Sequence, residues 1–400
     1  MLPSILRRMH EFSRRLVVRI VLIALCAFLA IGLAKVFGHA IPFGLKDRIG
    51  ADAVDRILSI IANSMLTVTT FSLTVMAASH RIAQSQWTPR AHQVLLQDTT
   101  THTVLATFVG AYLYAINVII LRETDVFKGE ELVVLFFVTL AVVTLVIFAI
   151  IRWISHMELL GSLIETAQRI EDHATDAYRM RCEYPSLGGR PLTGDAPEGL
   201  EEILADRTGY IQQVYQDRLQ DEAEKADVEV YLAQRVGAFV HKGDVLARVT
   251  GKAEACTKMM RDHVSIGSLR NYTQDPEFGL QNLTEIGQRA LSPGINDPGT
   301  AVDMIRRVSR ILLGSDVVPA DEQELLYDRL LVPPLPRDRL VSDSIGAILR
   351  HGLEHPEVVA AGRQSLTALA DRGDGGMARA ARRVLDELSE REPEAAFSSI

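Results

Sequence analysis

Apolar positions are not spread evenly along this chain. Four long runs fall within the first 160 residues, Leu16 to Val36, Ile57 to Ser79, Thr103 to Leu121 and Leu132 to Ile154, with short polar segments between them. A helix rises about 1.5 Å per residue, so about 20 residues cross the roughly 30 Å hydrocarbon layer. One such run could be a buried helix of a soluble protein. Four in succession predict a four-span transmembrane domain over residues 1–155. The first run follows Arg7, Arg8, Arg14 and Arg15 and ends in Lys35 without a small-x-small cleavage site, which favours a retained anchor over a cleaved signal peptide.

Past Trp153 the period changes. Leu159, Leu160, Ile164, Ala167, Ile170, Ala174 and Ala177 share one helical face, predicting a stalk over 156–182. The Pro- and Gly-rich stretch from Tyr184 to Gly199 predicts a linker over 183–200. Residues 201–252 predict a small β-module: a strand at Gly209 to Val214, a helix centred on Leu219 to Ala226, a strand at Val228 to Leu232, and alternation from Val236 to Val249 with Gly237 and Gly243 at turns that need positive φ. That last piece resembles the hairpin of the biotinyl and lipoyl barrel-sandwich domains. No exposed lysine beside Met in a tight turn accompanies it, so no cofactor is expected. Residues 253–400 predict a helical region. The fold class expected is therefore a membrane α-helical part of four transmembrane helices plus a cytoplasmic α+β domain with a barrel-sandwich-like β-module and helices.

Charge sharpens the division. The whole chain carries 42 Lys and Arg against 50 Asp and Glu, a net charge of -8 that argues against a nucleic-acid partner. Up to Leu160 there are 14 basic and 10 acidic residues, and after it 28 and 40, so a sparsely charged basic part precedes a densely charged acidic one. Placing the N-terminus inside puts nine Lys and Arg at the inner span ends, including Arg81, Arg90 and Arg152, and six outside. An even number of crossings then leaves both termini and the C-terminal domain in the cytoplasm, at a bacterial inner membrane. Three cysteines without C-x-x-C spacing suit that reducing side.

The candidate chemistry is sparse. Asn63, Thr67, Thr70 and Thr74 form one stripe on the second span, and Gly110, Tyr114 and Asn117 offer a facing stripe on the third. Such a stripe can line a water-filled path or let helices approach closely and hydrogen-bond. No Asp, Glu or Lys sits mid-span, which argues against a secondary active transporter. Ser79 to Arg90, with Trp87 and Pro89, reads as a structural elbow. The densest segment, Asp275 to Ala301, writes two helix starts alike, Asp275-Pro276 and Asp297-Pro298, each a capping Asp before a first-turn Pro. Glu285 and Arg289 are spaced to pair. Alternatively Arg270, Asp275, Asn296 and Asp297 form a polar binding pocket. His351 and His355 match H-x-x-E-H, the zinc pattern of inverzincin peptidases, yet Pro356 must break the helix that this chemistry needs.

The segments R-N-Y-T-Q-D-P-E-F-G-L-Q and R-A-L-S-P-G-I-N-D-P-G-T-A, together with T-G-Y-I-Q, G-A-F-V-H-K-G-D, F-S-L-T-V-M-A-A-S and W-T-P-R, resemble the bacterial predicted-membrane-protein family called domain of unknown function 2254. The resemblance covers nearly the whole chain. It implies a multi-span inner-membrane protein with a cytoplasmic domain and carries no activity with it. The expected function is a non-enzymatic, homo-oligomeric, channel-like or passive transport unit in the lipid bilayer, regulated by its cytoplasmic domain through a protein or small-molecule effector. The alternatives are a membrane-anchored scaffold or envelope-stress sensor, and more remotely a zinc hydrolase.

Overall fold

The computed structural model describes residues 51–86, 99–124, 131–157, 162–316 and 324–391, with the isolated positions 18, 20, 21, 25, 32, 88, 90 and 318. The chain divides into two compact units, one of residues 1–86 with 92–163 and one of residues 87–91 with 164–400.

Among the described residues of the first unit there are three long helices: α1 (Ala51–Gln86), α2 (Thr99–Glu123) and α3 (Glu131–Met157). Within them Ala53–Ser79, Thr100–Glu123 and Leu132–Met157 are long and apolar enough to cross a bilayer. The first of the four predicted spans lies outside the described residues except for helical positions 18, 20, 21, 25 and 32. Val54, Leu58, Ile61 and Met65 of α1 meet Val104, Phe108, Ala111, Tyr114, Ala115 and Val118 of α2 in one core, which α3 joins through Leu135, Val146, Ala149 and Trp153. The middle helix is the enclosed one. Its apolar residues run all round the helix, as burial between neighbours requires. The outward faces of α1 and α3 instead carry Ile60, Phe71, Phe137, Ile147, Phe148, Ile151 and Ile154, all exposed. In water this would be an extensive apolar patch, whereas in hydrocarbon it is the expected surface. Of the elbow expected from Ser79 to Arg90, residues 79–86 are instead helix, since α1 runs through Gln86.

The second unit is α+β. Its elements are α4 (Leu163–Glu183), β1 (Gly189–Pro191), β2 (Glu201–Leu204), β3 (Gly209–Val214), α5 (Gln216–Ala226), β4 (Val230–Leu232), β5 (Phe239–Val240), β6 (Val245–Val249), α6 (Ala253–His263) and β7 (Val264–Gly267), then α7 (Pro276–Ala290), α8 (Pro298–Leu313), β8 (Tyr327–Val332), α9 (Arg337–Ser342), α10 (Ile345–His351), α11 (Pro356–Arg372) and α12 (Gly375–Arg391). A five-stranded mixed sheet runs β1-β8-β4-β6-β2, and a three-stranded sheet runs β5-β3-β7. The strand-helix-strand order predicted for 208–250 is present, but the barrel-sandwich hairpin is not. β5 pairs with β3 and β6 pairs with β2 and β4, so the two halves of that piece enter different sheets. The tight turn between them, closed by Asp244 N–H to the His241 carbonyl and by His241 N–H to Asp244 Oδ2, redirects the chain instead of pairing it with itself. Gly237 (φ 89°) and Gly243 (φ 96°) do take the left-handed conformations their turns require.

Two stretches read as connections are built into the core. α4, predicted as a stalk, buries Ala167, Ile170, Ala174, Ala177 and Tyr178, and approaches α7 so closely that a Cβ on Gly279 would stand 2.4 Å from Ala174 Cβ. Residues 158–161, over which the stalk was to continue from α3, lie outside the described residues. The predicted linker contributes β1, which pairs in parallel with β8 after Leu187 and Gly188 turn left-handed.

Candidate functional site

The two Asp-Pro helix starts are realised as capping interactions. Asp275 accepts from Phe278 N–H at the start of α7, and Asp297 accepts from Thr300 N–H at the start of α8. They differ in burial and in their partners. Asp275 is buried and takes a bidentate pair from Arg270, Nε to Oδ2 and Nη2 to Oδ1, both at 2.7 Å. Arg270 spends its third face on Gln281 Oε1 at 3.0 Å and lies over the Phe278 ring. A fork-to-fork pair of this kind fixes both side chains in orientation as well as in charge. Gly237 closes over it. A Cβ there would fall 2.4 Å from Asp275 Oδ2 and 2.9 Å from Arg270 Nη2.

Next to this pair Glu277 stands among guanidiniums, 3.5 Å from Arg235 and 3.9 Å from Arg270. Burial pushes its carboxyl above the usual range despite them. Arg181, on the last turn of α4, is almost wholly buried, gives one Nη2–H to the Pro185 carbonyl at 2.8 Å, and has no hydrogen-bond partner for Nε among the described residues. Burial lowers it to about 10, so it stays charged at neutral pH. A cleft of about 330 Å³ opens at the first turn of α7, lined by Arg235, Arg270, Glu277 and Gln281 and by Arg339 and Asp343 on α9 and its C-terminal end. Arg339 is exposed and makes no ion pair among the described residues.

The remaining residues of the predicted polar motif do not share this cleft. Glu285 accepts from Gln281 Nε2 at 3.0 Å and pairs with Arg90. Arg289 lies in the last turn of α7, and Asn296 and Asp297 lie beyond its end. The 15 residues of α7 put its two ends about 22 Å apart. Asn296 (φ 51°) and Asp297 form an exposed connection between α7 and α8, where the hydrogen bonds from Thr300 hold the Asp297 carboxyl below the usual range.

In the membrane unit the six predicted pore-lining residues also separate. Asn63, Thr67, Thr70 and Thr74 are exposed on α1. Asn63, Thr67 and Thr74 stand two residues on from the buried positions Ile61, Met65 and Ser72, which at 100° per residue is the opposite side of the helix. Tyr114 is fully buried and bonded to Thr139 Oγ1 at 3.0 Å, and the half-buried Asn117 gives its amide to the Leu113 carbonyl. The facing of the α1 stripe by Tyr114 and Asn117 is thereby corrected: α2 meets the other side of α1. A groove of about 950 Å³ runs beside the first half of the stripe, lined by Asp55, Arg56, Ser59, Asn63, Ser64 and Thr67.

A family model described as predicted membrane protein, domain of unknown function 2254, matches residues 12–368. The chain belongs to that family. Similar curated proteins include an uncharacterized protein of Mycobacterium bovis and uncharacterized proteins of two Mycobacterium tuberculosis strains, each 28% identical over 341 residues, or 78% of this chain. The chain spans 63% of the length of these relatives. No solved structure matches. The family description makes this a membrane protein and assigns it no activity.

The H-x-x-E-H segment does not lie on one helix. His351 ends α10, and His355 stands at the N-cap of α11, so the two imidazoles are not one turn apart on one helix. His351 Nδ1 lies 3.0 Å from the Ala347 carbonyl, and among the described residues there is no cluster able to hold a metal ion. Sequence reasoning missed Arg181, Arg235, Glu277 and Arg339. They come from four separate segments, and the one local cue was Glu277 in the first turn of a capped helix.

Proposed function

We propose that this protein is a passive, channel-like transport unit of the bacterial inner membrane, assembled from several copies, with its second unit on the cytoplasmic side as the regulatory part. The observation that carries the reading is the outward stripe on α1. Its threonines answer their own hydroxyls, Thr67 to the Asn63 carbonyl, Thr70 to Leu66 and Thr67, and Thr74 to Thr70, all within the helix. Asn63 has no such escape: its exposed amide has no partner among the described residues, ten residues into the span Ala53–Ser79. An unpaired amide facing lipid at that depth costs several kcal/mol, whereas water or the same stripe on another copy satisfies it. The groove beside it gives room for either. The lack of mid-span acids fits a passive path better than a coupled transporter.

The test is ion flux in liposomes reconstituted with the full chain. Flux that falls in Asn63→Leu and in the Thr70→Leu, Thr74→Leu double variant supports the reading, and a protein that conducts nothing ends it. The competing reading, a membrane-anchored scaffold or envelope-stress sensor, draws on the exposed Ser292-Pro-Gly-Ile-Asn-Asp297 connection, where Ile295 is 43% exposed. It expects a soluble protein retained in pull-downs after the α1 stripe is made apolar, and lost when Ile295 is replaced by Asp.

A further inference from the structure

The cleft at the first turn of α7 holds more cationic capacity than its acids use. Arg235, Arg270 and Arg339 line it together with Glu277 and Asp343, and the buried Arg181 and Asp275 adjoin Glu277. Their commitments are unequal. Asp275 is fully spent on Arg270 and on capping α7. Arg235 stands 3.5 Å from Glu277, longer than the roughly 2.7–2.9 Å of a formed charge-assisted bond, and keeps about a third of its side chain exposed. Arg339 faces it from α9 with no carboxylate of its own among the described residues. Behind them the buried Arg181, whose Nε has no hydrogen-bond partner among the described residues, adds a further positive charge beside Glu277 and Asp275. Two forked donors with unused N–H groups thus look across a cavity of about 330 Å³, at the small end of the range for small-molecule sites. A guanidinium fork matches the two-oxygen edge of a phosphate or carboxylate.

We propose that this cleft binds a compact, multiply charged oxyanion, held between Arg235 and Arg339, with the Arg270–Asp275 pair as its fixed floor. Arg270 is a positioning residue, since three of its five N–H groups are spent on Asp275 and Gln281, and the ligand contacts fall to Arg235 and Arg339. Glu277 supplies the selectivity. A singly charged anion gains little against its neighbouring carboxylate, while a polyanion engages both guanidiniums and outweighs it. The site does not depend on whether the membrane unit conducts.

The experiment is calorimetric titration of the full chain in detergent with inorganic phosphate, pyrophosphate and citrate in turn at fixed ionic strength. Pyrophosphate and citrate separate phosphoryl from carboxylate recognition, and inorganic phosphate gives the small-ion baseline. Saturable binding of one equivalent per chain is expected for pyrophosphate, citrate or both, weakened about tenfold or more in Arg235→Gln and in Arg339→Gln. Arg383→Gln, in an open basic surface shared with Arg379 and Arg382, should leave it unchanged. No saturable binding to any of the three probes overturns the proposal. So does binding that survives both cleft variants or that falls equally in Arg383→Gln, the mark of general attraction to a basic surface. Arg339 is exposed, so Arg339→Gln keeps the test open if Arg235→Gln fails to fold. Flux in liposomes with no anion binding sinks the site and spares the transport reading, and binding without flux does the reverse.

Discussion

The two units of this protein satisfy their polar side chains by opposite means. In the membrane unit the hydroxyls turn inward on their own helix: Thr67, Thr69, Thr70, Thr74, Thr107, Thr139 and Thr144 each donate to the carbonyl four residues back. In the second unit the strong polar contacts join distant segments. Arg307 and Arg310 on α8 both hold Glu171 on α4 at 2.6 Å, and Arg337 on α9 holds Asp374 at 2.6 Å. The difference follows from the solvent. Lipid offers nothing to a stray polar group, so local satisfaction is the safe solution there and leaves helix faces free to choose neighbours. A water-facing unit gains specificity by making charge pairs that form only when the tertiary arrangement is right.

This contrast is broken most directly at the buried pairs. Arg270→Ala leaves Asp275 charged and buried, and should cost about 3–5 kcal/mol in denaturant unfolding of the full chain in detergent. Gly237→Ala should approach it, because the added Cβ collides with both members of the pair and the backbone there is left-handed. A loss near zero for both would mean that the pair relaxes into water and that the second unit does not depend on its cross-segment charges.

A smaller effect sharpens the comparison within the second unit. Asp275 and Asp297 are the same residue at the same cap position before the same proline, yet Asp297→Ala should cost only about 1 kcal/mol, the ordinary worth of an N-cap. The same substitution at Asp275 removes a cap and strands Arg270 together. Equal losses at the two sites would show that the guanidinium pair adds nothing. In the membrane unit Tyr114→Phe removes a buried inter-helix hydrogen bond to Thr139 and should cost about 0.6 kcal/mol, the typical value for such bonds in a bilayer. A loss several times larger would place that bond among the specifying contacts and erase the distinction between the units.

These sites also mark where the sequence could be read and where it could not. The spans α1 to α3, the caps at Asp275 and Asp297, and the left-handed Gly237 follow from local rules of length, capping and backbone freedom, and each was legible. The spacing of Asn63, Thr67, Thr70 and Thr74 gave a stripe but not its direction, because which side of α1 meets α2 is set by the competing stripe of Val54, Leu58, Ile61 and Met65. The strands β5 and β6 were legible as strands, while their division between two sheets is decided by β3, β7 and β8 from elsewhere in the chain. The cleft was the least legible feature. Arg270 was legible as a candidate pocket residue, but Arg181, Arg235 and Arg339 look like ordinary solvated charges until α4, the segment after β4 and α9 come together with α7.

The smallest predicted effect concerns the sign of a pH dependence. Glu277 faces Arg181, Arg235, Arg270 and Asp275, with Arg339 and Asp343 across the cleft, and burial still raises its carboxyl. A raised folded-state value means that the folded chain binds the Glu277 proton more tightly than the unfolded chain does. The associated stability is complete below the ordinary glutamate range and is lost as pH rises through the higher folded value. Asp297 runs the other way: the bonds from Thr300 lower it, so its contribution is present above the ordinary aspartate range and is lost as pH falls. Thermal midpoints of the full chain in detergent, followed from about pH 4 to 7, should therefore fall less with rising pH in Glu277→Gln than in the parent, and Asp297→Asn should flatten the acid side instead. Parallel curves for Glu277→Gln and the parent would mean that the surrounding guanidiniums, rather than burial, govern Glu277. The cleft would then be neutralised by its own acid and have no surplus charge to offer an anion.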